Sequence, residues 1–474
     1  MAPLNVIENV RVSPANKSSD DDSVNSFSLP LTFLEFRWIK FHASQRVIFY
    51  KLTEASSTES FHSHILPKLK LSLSLVLSYY LPVAGRLTWG PQNPKPCIIV
   101  SKHDTVSLTV AETDADFSFL SGKRPRPATE FHPLAPELTV SNDSATLLSL
   151  QITLFPNQGF CIGTASHHSI FDATTSTMFL KSWAHICRLQ EHHGNNFTEF
   201  PLLPEDLTPN FDRTIINLPS GHESKMLSYL SKDRDHFRNL KPPPIDEIST
   251  DIVRVSLDLT LEDIEQLRER VKNESSRPLR ELHLSTFVIA YAYAWTCLVK
   301  ARGGNGNRPI LFYYAADFRS RLDPPLPATY FGSFVFPIGW FQYKARTFLN
   351  EDGFVKAVEI LSDSVKGIGS RGIESSVEDF LEAKKKVKTG VQVGSVAGST
   401  RLGIYGLDFG WGRPAQTGIV PIDRNEAFSM SERRDESGGV EIGLCLKKKE
   451  MNIFLSLFKR WPKTIAILKM VSKI

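Results

Sequence analysis

Three successive prolines stand near the middle of the chain, in Lys241-Pro242-Pro243-Pro244, inside a polar and highly charged stretch. No helix interior or central strand tolerates that combination, because each proline removes a backbone donor and fixes φ. A chain of 474 residues exceeds one ordinary core, so two domains of roughly 200 residues each are expected. Residues 216–250 are read as the linker between an N-terminal domain, 1–215, and a C-terminal domain, 251–474. Strand and helix patterns are interleaved on both sides of it, so the expected class is α/β. No internal repeat of fixed period is present.

Local patterns fill in the two halves. From Phe61 to Tyr80, Ile65, Leu69, Leu73, Val76 and Tyr80 recur at threes and fours, an amphipathic helix. Leu148, Leu150, Ile152 and Leu154 alternate with Ser149, Gln151 and Thr153, which reads as a half-buried strand. Pro156-Asn157-Gln158-Gly159 is the turn, Gly159 to Ala165 the returning strand, and a helix opens after Asp172 with Phe179, Trp183 and Ile186 as its core stripe. Beyond the linker, 252–259 reads as a strand, and 261–271 and 286–300 as helices. Residues 16–26 are polar and low in complexity, and are expected to form a mobile surface segment.

Bulk chemistry excludes several classes. The net charge of +4 comes from 55 basic and 51 acidic residues, too balanced for a nucleic-acid binder. The five cysteines, Cys97, Cys161, Cys187, Cys297 and Cys445, form no C-x-x-C pair, so neither a zinc site nor a disulfide framework is expected. Reduced thiols fit a cytosolic location. The N-terminus lacks a basic start and apolar core of a secretory signal, and no run of about 18 apolar residues would cross a membrane.

Two segments carry the chemistry. Ser166-His167-His168-Ser169-Ile170-Phe171-Asp172 leaves a buried strand and enters a helix. An imidazole there is rigidly held yet open to a cleft, and a neutral one accepts a proton from an attacking hydroxyl. By spacing alone, a satisfied core histidine and a helix cap are the commoner reading. Asp408-Phe409-Gly410-Trp411-Gly412-Arg413-Pro414 places two glycines around a tryptophan, which alone reads as a structural turn.

Taken together, H-x-x-x-D in the first half and D-F-G-W-G near the end are the paired signatures of the BAHD acyltransferases, which this chain resembles over nearly its whole length. Tyr80-Leu81-Pro82-Val83-Ala84-Gly85-Arg86, Phe211-Asp212-Arg213, Asp317-Phe318-Arg319-Ser320-Arg321 and Ser395-Val396-Ala397-Gly398-Ser399 match further. Tyr330-Phe331-Gly332-Ser333-Phe334 is similar to the Y-F-G-N-C motif of the anthocyanin and flavonoid-glycoside branch.

The resemblance implies two similar chloramphenicol-acetyltransferase-like domains joined by a crossover loop, with the active-site channel between them. His168 would be the general base, and His167 a packing residue. Asp172 would turn away from the channel to pair with Arg319 and so orient His168. The indole N–H of Trp411 would help hold the oxyanion. Asp408, Gly410 and Gly412 would be structural, with Asp408 paired to an arginine such as Arg321. Ser285 and Thr286 match positions that contact the pantetheine arm. The implied partners are an acyl-CoA co-substrate and a phenolic glycoside acceptor, with no permanently bound cofactor, no metal, no nucleic acid and no membrane, in a monomer.

Malonyl is the first choice of acyl group. Many malonyl-using relatives carry a Lys or Arg where this chain has Thr174, so another cation would have to meet the malonyl carboxylate, and Arg86, Lys181 and Arg319 are the candidates. Ala173 in place of the usual Gly keeps a hydroxycinnamoyl donor as the alternative, and the Ser333-Phe334 departure keeps a non-catalytic binding relative in view. Two rivals remain. Gly367-Ile368-Gly369-Ser370-Arg371-Gly372 satisfies a dinucleotide fingerprint, but a helix-like stretch precedes it rather than a strand. Cys161 could act as a nucleophile beside His168, whereas no G-x-S-x-G elbow exists.

Overall fold

The hairpin expected at 148–166 organises the N-terminal half. Strands Leu148–Phe155 and Gly159–Ser166 pair antiparallel, with Phe155 opposite Gly159 and Leu148 opposite Ser166. Asn157 turns the chain at φ 57°, a region that asparagine tolerates. In this computed structural model, residues 3–15, 26–52, 57–90, 93–193, 200–216, 221–231, 239–386, 391–424 and 427–458 are described. The polar stretch at 16–25 lies outside them.

The alternation in Leu148–Phe155 predicted one wet face, but every residue of the strand is buried. The even-numbered leucines and Ile152 join the main core, to which helices Leu66–Leu77 and Ala173–His193 also contribute. Trp183 ties those helices together, its Nε1 donating to Leu69 O at 3.2 Å and Ser72 Oγ at 3.0 Å. On the other face, the short helix Phe117–Leu120 and the 3-10 segment Ala128–Leu134 close a second cluster with Val47, Phe49, Phe155 and Cys161. The polar residues there are answered by the covering chain: Gln151 Nε2 donates to Pro133 O at 2.7 Å, and Gln45 Nε2 to Pro136 O at 2.8 Å. A polar stripe therefore reports a satisfied interface here rather than solvent.

Three sheets follow from these pairings. The six-stranded sheet runs Asn5–Val12, Val106–Glu112, Leu148–Phe155, Gly159–Ser166, Ser44–Lys51, Gln416–Ile419. The seven-stranded sheet runs Val335–Lys344, Pro309–Asp317, Gln392–Ala397, Ala427–Glu432, Val440–Lys447, Ile252–Leu259, Arg126–Pro127. A smaller sheet joins Phe27–Pro30, Cys97–Val100, Arg86–Thr88 and Ser144–Thr146. Each large sheet ends in a short strand supplied by the opposite half of the chain: Gln416–Ile419 pairs with Ser44–Lys51, and Arg126–Pro127 with Ile252–Leu259. The fold is mixed α/β, and each half completes the other's sheet edge.

Helix Thr286–Arg302 opens on Ser285, whose hydroxyl accepts from Val288 N at 3.4 Å. It is buried nearly all round, with Trp295 stacked on Phe312 at 5.1 Å. The glycine-rich run Gly367–Gly372 lies inside helix Gly353–Lys386, which joins two strands of the seven-stranded sheet. A continuous helix offers no loop to cradle a phosphate. Within the expected linker a helix forms at His222–Ser231, burying Met226 and Leu230 against the main core. Sequence reading placed this stretch in the linker because its polar, charged composition gives only a weak periodic signal. Its residues 217–220 and 232–238 lie outside the described residues.

Gly163 marks the tightest crossing of the strand that leads to His168. A Cβ there would stand 1.9 Å from Leu134 O. Gly163→Ala must push a backbone segment aside, and overpacking of this kind costs about 1–3 kcal/mol. The expected outcome is a soluble protein whose thermal midpoint falls by several degrees in calorimetry. An unchanged melt would show that the covering segment yields freely.

Candidate active site

The buried strand Gly159–Ser166 ends in a tight turn before helix Ala173–His193. His167 N donates to Leu147 O at 2.9 Å, and its carbonyl accepts from Ile170 N and Phe171 N, both at 3.1 Å. The His167 ring is buried and its Nδ1 lies 2.7 Å from Ser169 Oγ, a packing role. His168, the next residue, faces a different setting. It stacks on Trp38 at 4.0 Å and 11° between planes, and meets the edge of Phe41 at 5.2 Å. Its Nδ1 is sealed from water with no hydrogen-bond partner among the described residues. The residue as a whole is half-buried.

Burial pushes the His168 pKa down to about 4; its own backbone carbonyl and Asp172 oppose this, and the Arg37 guanidinium adds to it. His167 is likewise lowered to about 4, by burial and by His168. At neutral pH, His168 is an uncharged imidazole.

Both oxygens of Asp172 are taken by partners other than His168. Its Oδ1 accepts from Thr175 N at 2.9 Å and Thr175 Oγ1 at 2.8 Å, capping the helix. Its Oδ2 pairs with Arg319 Nη1 at 2.8 Å and accepts from Phe334 N at 2.9 Å. Burial alone would raise its pKa, but the Arg319 charge and these donors hold it below the usual carboxylate value. Arg319 is wholly engaged: Nη1 also meets Asp317 at 2.9 Å, Nη2 donates to Gly332 O at 2.6 Å, and Nε to Tyr330 O at 3.3 Å.

A second buried ion pair grips the same segment. Arg213 Nη2 donates to Glu35 Oε1 at 2.9 Å, and Nη1 to Phe331 O at 2.7 Å. Glu35 Oε2 accepts from Thr32 N at 2.7 Å. Gly332 is required between them, because a Cβ would lie 2.3 Å from Glu35 Oε1. The carbonyls of Tyr330, Phe331 and Gly332 and the amide of Phe334 are thus all held by two ion pairs. One residue further on, Val335 O accepts from Trp38 Nε1 at 3.1 Å, so the same segment anchors the ring beneath His168. Ser333 and Phe334, where the related motif has Asn and Cys, are both fully buried. Phe334 packs edge-on to Tyr330 at 5.2 Å.

Two expectations need correction. Trp411 packs on Phe160 at 6.3 Å, at the start of the strand whose far end leads to His168. Six residue steps separate Phe160 from Ser166, about 20 Å in a strand. Trp411 therefore cannot reach an oxyanion at His168. Asp408 does not pair with Arg321: its Oδ1 accepts from Gly410 N at 2.8 Å and Gly412 N at 3.0 Å. Arg321 is exposed and donates to the Asp317 carbonyl. Gly410 at φ 109° and Gly412 at φ 90° adopt a backbone that suits glycine. The loop is a self-contained turn that seats Phe409 against Trp183 at 5.0 Å.

Ser285 and Thr286 are half-buried at the opening of their helix, with the Ser285 hydroxyl engaged as a cap. Cys161 is buried in the second cluster, its thiol pushed up by desolvation, and makes a poor nucleophile. Among the described residues, no group of three or more His, Cys, Asp or Glu could hold a metal ion, and no helix is long and apolar enough to cross a membrane.

Sequence reading missed Trp38, Glu35 and the work of Arg213. Thr32-x-x-Glu35 has the spacing of a capping box, and Arg213 lies in Phe211-Asp212-Arg213, but neither signal reveals that the two charges meet.

A sequence profile described as the Transferase family matches residues 2–460. The chain belongs to the BAHD acyltransferase family. It is 52% identical over 458 residues to phenolic glucoside malonyltransferase 2 of Arabidopsis thaliana, covering 96% of this chain and 98% of the relative. It is 50% identical over 465 residues to the agmatine coumaroyltransferase of the same plant, covering 97% and 99%. Among solved structures it resembles vinorine synthase with a TM-score of 0.69 at 19% identity, covering 96% of this chain and 98% of the other. The fold is accordingly the two-domain, chloramphenicol-acetyltransferase-like α/β architecture.

Asp172→Asn removes one charge of a buried pair and leaves Arg319 uncompensated, which costs about 3–5 kcal/mol. Denaturant titration should show that loss together with reduced activity. Inactivity with an unchanged midpoint would contradict the structural role.

Acid stability follows from the two histidines. Their folded values near 4 lie below the ordinary 6.5, so the unfolded chain binds more protons in that window. Stability contributed by the neutral rings is present above pH 6.5 and declines as pH falls toward 4. Melts between pH 7 and 4 should become less acid-sensitive in a His167→Asn, His168→Asn double variant.

Proposed function

We propose that this chain transfers an acyl group, malonyl by preference, from acyl-CoA to a hydroxyl of a phenolic glucoside, with His168 as general base. The observation that carries the reading is His168 itself: half-buried and neutral, held by Trp38 and Phe41 with Nδ1 sealed, just past the end of a buried strand. His168 takes the proton of the acceptor hydroxyl as its oxygen attacks the thioester carbonyl. The tetrahedral intermediate collapses, the CoA thiolate leaves, and the proton on His168 returns to it. No covalent enzyme intermediate is needed.

Asp172 and Arg319 orient the turn that carries His168 without touching substrate. Ser285 and Thr286 fit the pantetheine arm at the start of their helix. The domain division at 1–215, 216–250 and 251–474, a monomeric state and a cytosolic location belong to the same reading. Malonyl-CoA is favoured because relatives named for malonyl transfer match over nearly their full length. Similarity to an agmatine coumaroyltransferase makes coumaroyl-CoA the competing donor.

Free-thiol release should be followed with malonyl-CoA and coumaroyl-CoA on a panel of phenolic glucosides. Malonyl-CoA is expected to show the higher kcat/KM. A tenfold preference for coumaroyl-CoA, about 1.4 kcal/mol in transition-state binding, would reverse the donor assignment. His168→Ala should fold and lose about 10²–10⁴-fold in turnover or more. Near-native turnover in a cooperatively melting His168→Ala protein would refute the base.

A further inference from the structure

Two rings hold His168, and one of them also presents surface. Trp38, stacked on the imidazole at 4.0 Å, is buried and spends its Nε1 on Val335 O. Phe41 makes T-shaped contacts with both rings, His168 at 5.2 Å and 81° and Trp38 at 5.2 Å and 85°, yet it is half-exposed. Its place is fixed from both sides. Phe41 N donates to Trp38 O at 3.1 Å, closing a turn. Three residues later Ser44 pairs with Ser166, the last residue of the strand that leads to His168. The loop from Trp38 to Ser44 is thus pinned beside the imidazole at both ends.

Two neighbouring aromatics present no such face. Phe171 is buried against Phe179 and Phe331, and Phe334 is buried against Tyr330. A lone exposed phenylalanine is ordinary on a protein surface. One that touches the base has its exposed part next to whatever the base acts on. Chemistry separates the two candidates for that surface. A hydroxyl within hydrogen-bond reach of the imidazole, about 2.6–3.2 Å, holds the carbon skeleton that bears it close by. On a glucoside that skeleton is the pyranose ring, whose C–H face is apolar and can lie on a phenyl ring. The malonyl group is a methylene and a carboxylate. A phenyl ring returns no hydrogen bond for the water that such a carboxylate would lose.

We infer that Phe41 is a specificity-determining residue for the acceptor, its exposed ring surface packing on the sugar that carries the reacting hydroxyl. The inference rests on the phenolic-glucoside reading above. Phe41 then does two things with one ring: it braces the imidazole on one side and receives the acceptor on another.

The test is a binding measurement, so that no loss of turnover at His168 enters it. Titration calorimetry gives Kd for CoA, and then for phenyl glucoside added to the CoA-saturated enzyme, in wild type, Phe41→Leu and Phe41→Tyr, alongside thermal melts. Losing the aromatic face should weaken glucoside binding about 3- to 10-fold in Phe41→Leu. CoA binding should stay at the wild-type value. Phe41→Tyr, which keeps the ring, should bind the glucoside like wild type. An unchanged glucoside Kd in Phe41→Leu overturns the inference and leaves the acceptor reading standing. A loss confined to CoA assigns the face to the donor, and equal losses for both ligands mark a structural role; either result overturns it. Phe41→Tyr as weak as Phe41→Leu would do the same. A wild type that binds CoA but no phenyl glucoside removes the acceptor reading and the inference together. Should Phe41→Leu fail to melt cooperatively, Phe41→Met decides by the same pair of constants.

Discussion

The contact on which the site depends is the buried pair between Asp172 and Arg319, 2.8 Å apart and joining residues from opposite halves of the chain. A buried ion pair adds little net stability over an apolar one, because desolvation offsets most of the attraction. Its consequence here is directional. With Arg319 and Phe334 on one oxygen and Thr175 on the other, the carboxylate of Asp172 is occupied by partners other than His168. The carboxylate four residues after the histidine therefore frames the turn that carries it.

Around that pair the segment Tyr330 to Val335 acts as a rail. Two arginines hold its carbonyls, Asp172 holds the Phe334 amide, and Val335 holds the indole on which His168 stacks. The C-terminal half thus fixes the histidine of the N-terminal half from two sides, through its carboxylate partner and through its aromatic floor. The same floor excludes water from Nδ1 and keeps the ring neutral. Positioning and basicity come from one arrangement.

The exchange of short edge strands has a related effect. Gln416–Ile419 closes the six-stranded sheet and Arg126–Pro127 the seven-stranded one, so neither half is complete without the other. The Asp408 loop lies directly before the first of these strands and seats it through Phe409 against Trp183 and Tyr50. The second signature of the family is thus a fastener for the edge strand, packed at the end of strand Gly159–Ser166 that is remote from His168.

Much of this was legible in the chain alone. The strand–turn–helix around His168, the hairpin at Asn157, the helix stripe at Phe179 and Trp183, and the ordered motifs that place the chain in its family are all short-range patterns. A period of two or near four, a cap or a turn residue acts within a few positions, and sequence displays it directly. What only the tertiary structure decided concerns residues far apart in the chain. Glu35 meets Arg213 across 178 positions, and Trp38 meets Val335 across 297. The polar face of Leu148–Phe155 is dry because Ala128–Leu134 lies over it, and Trp411 is remote from His168 because it docks at the other end of one strand. Spacing along a chain records which residues share a face, but which surface covers that face, and at which end, is settled only when distant segments pack.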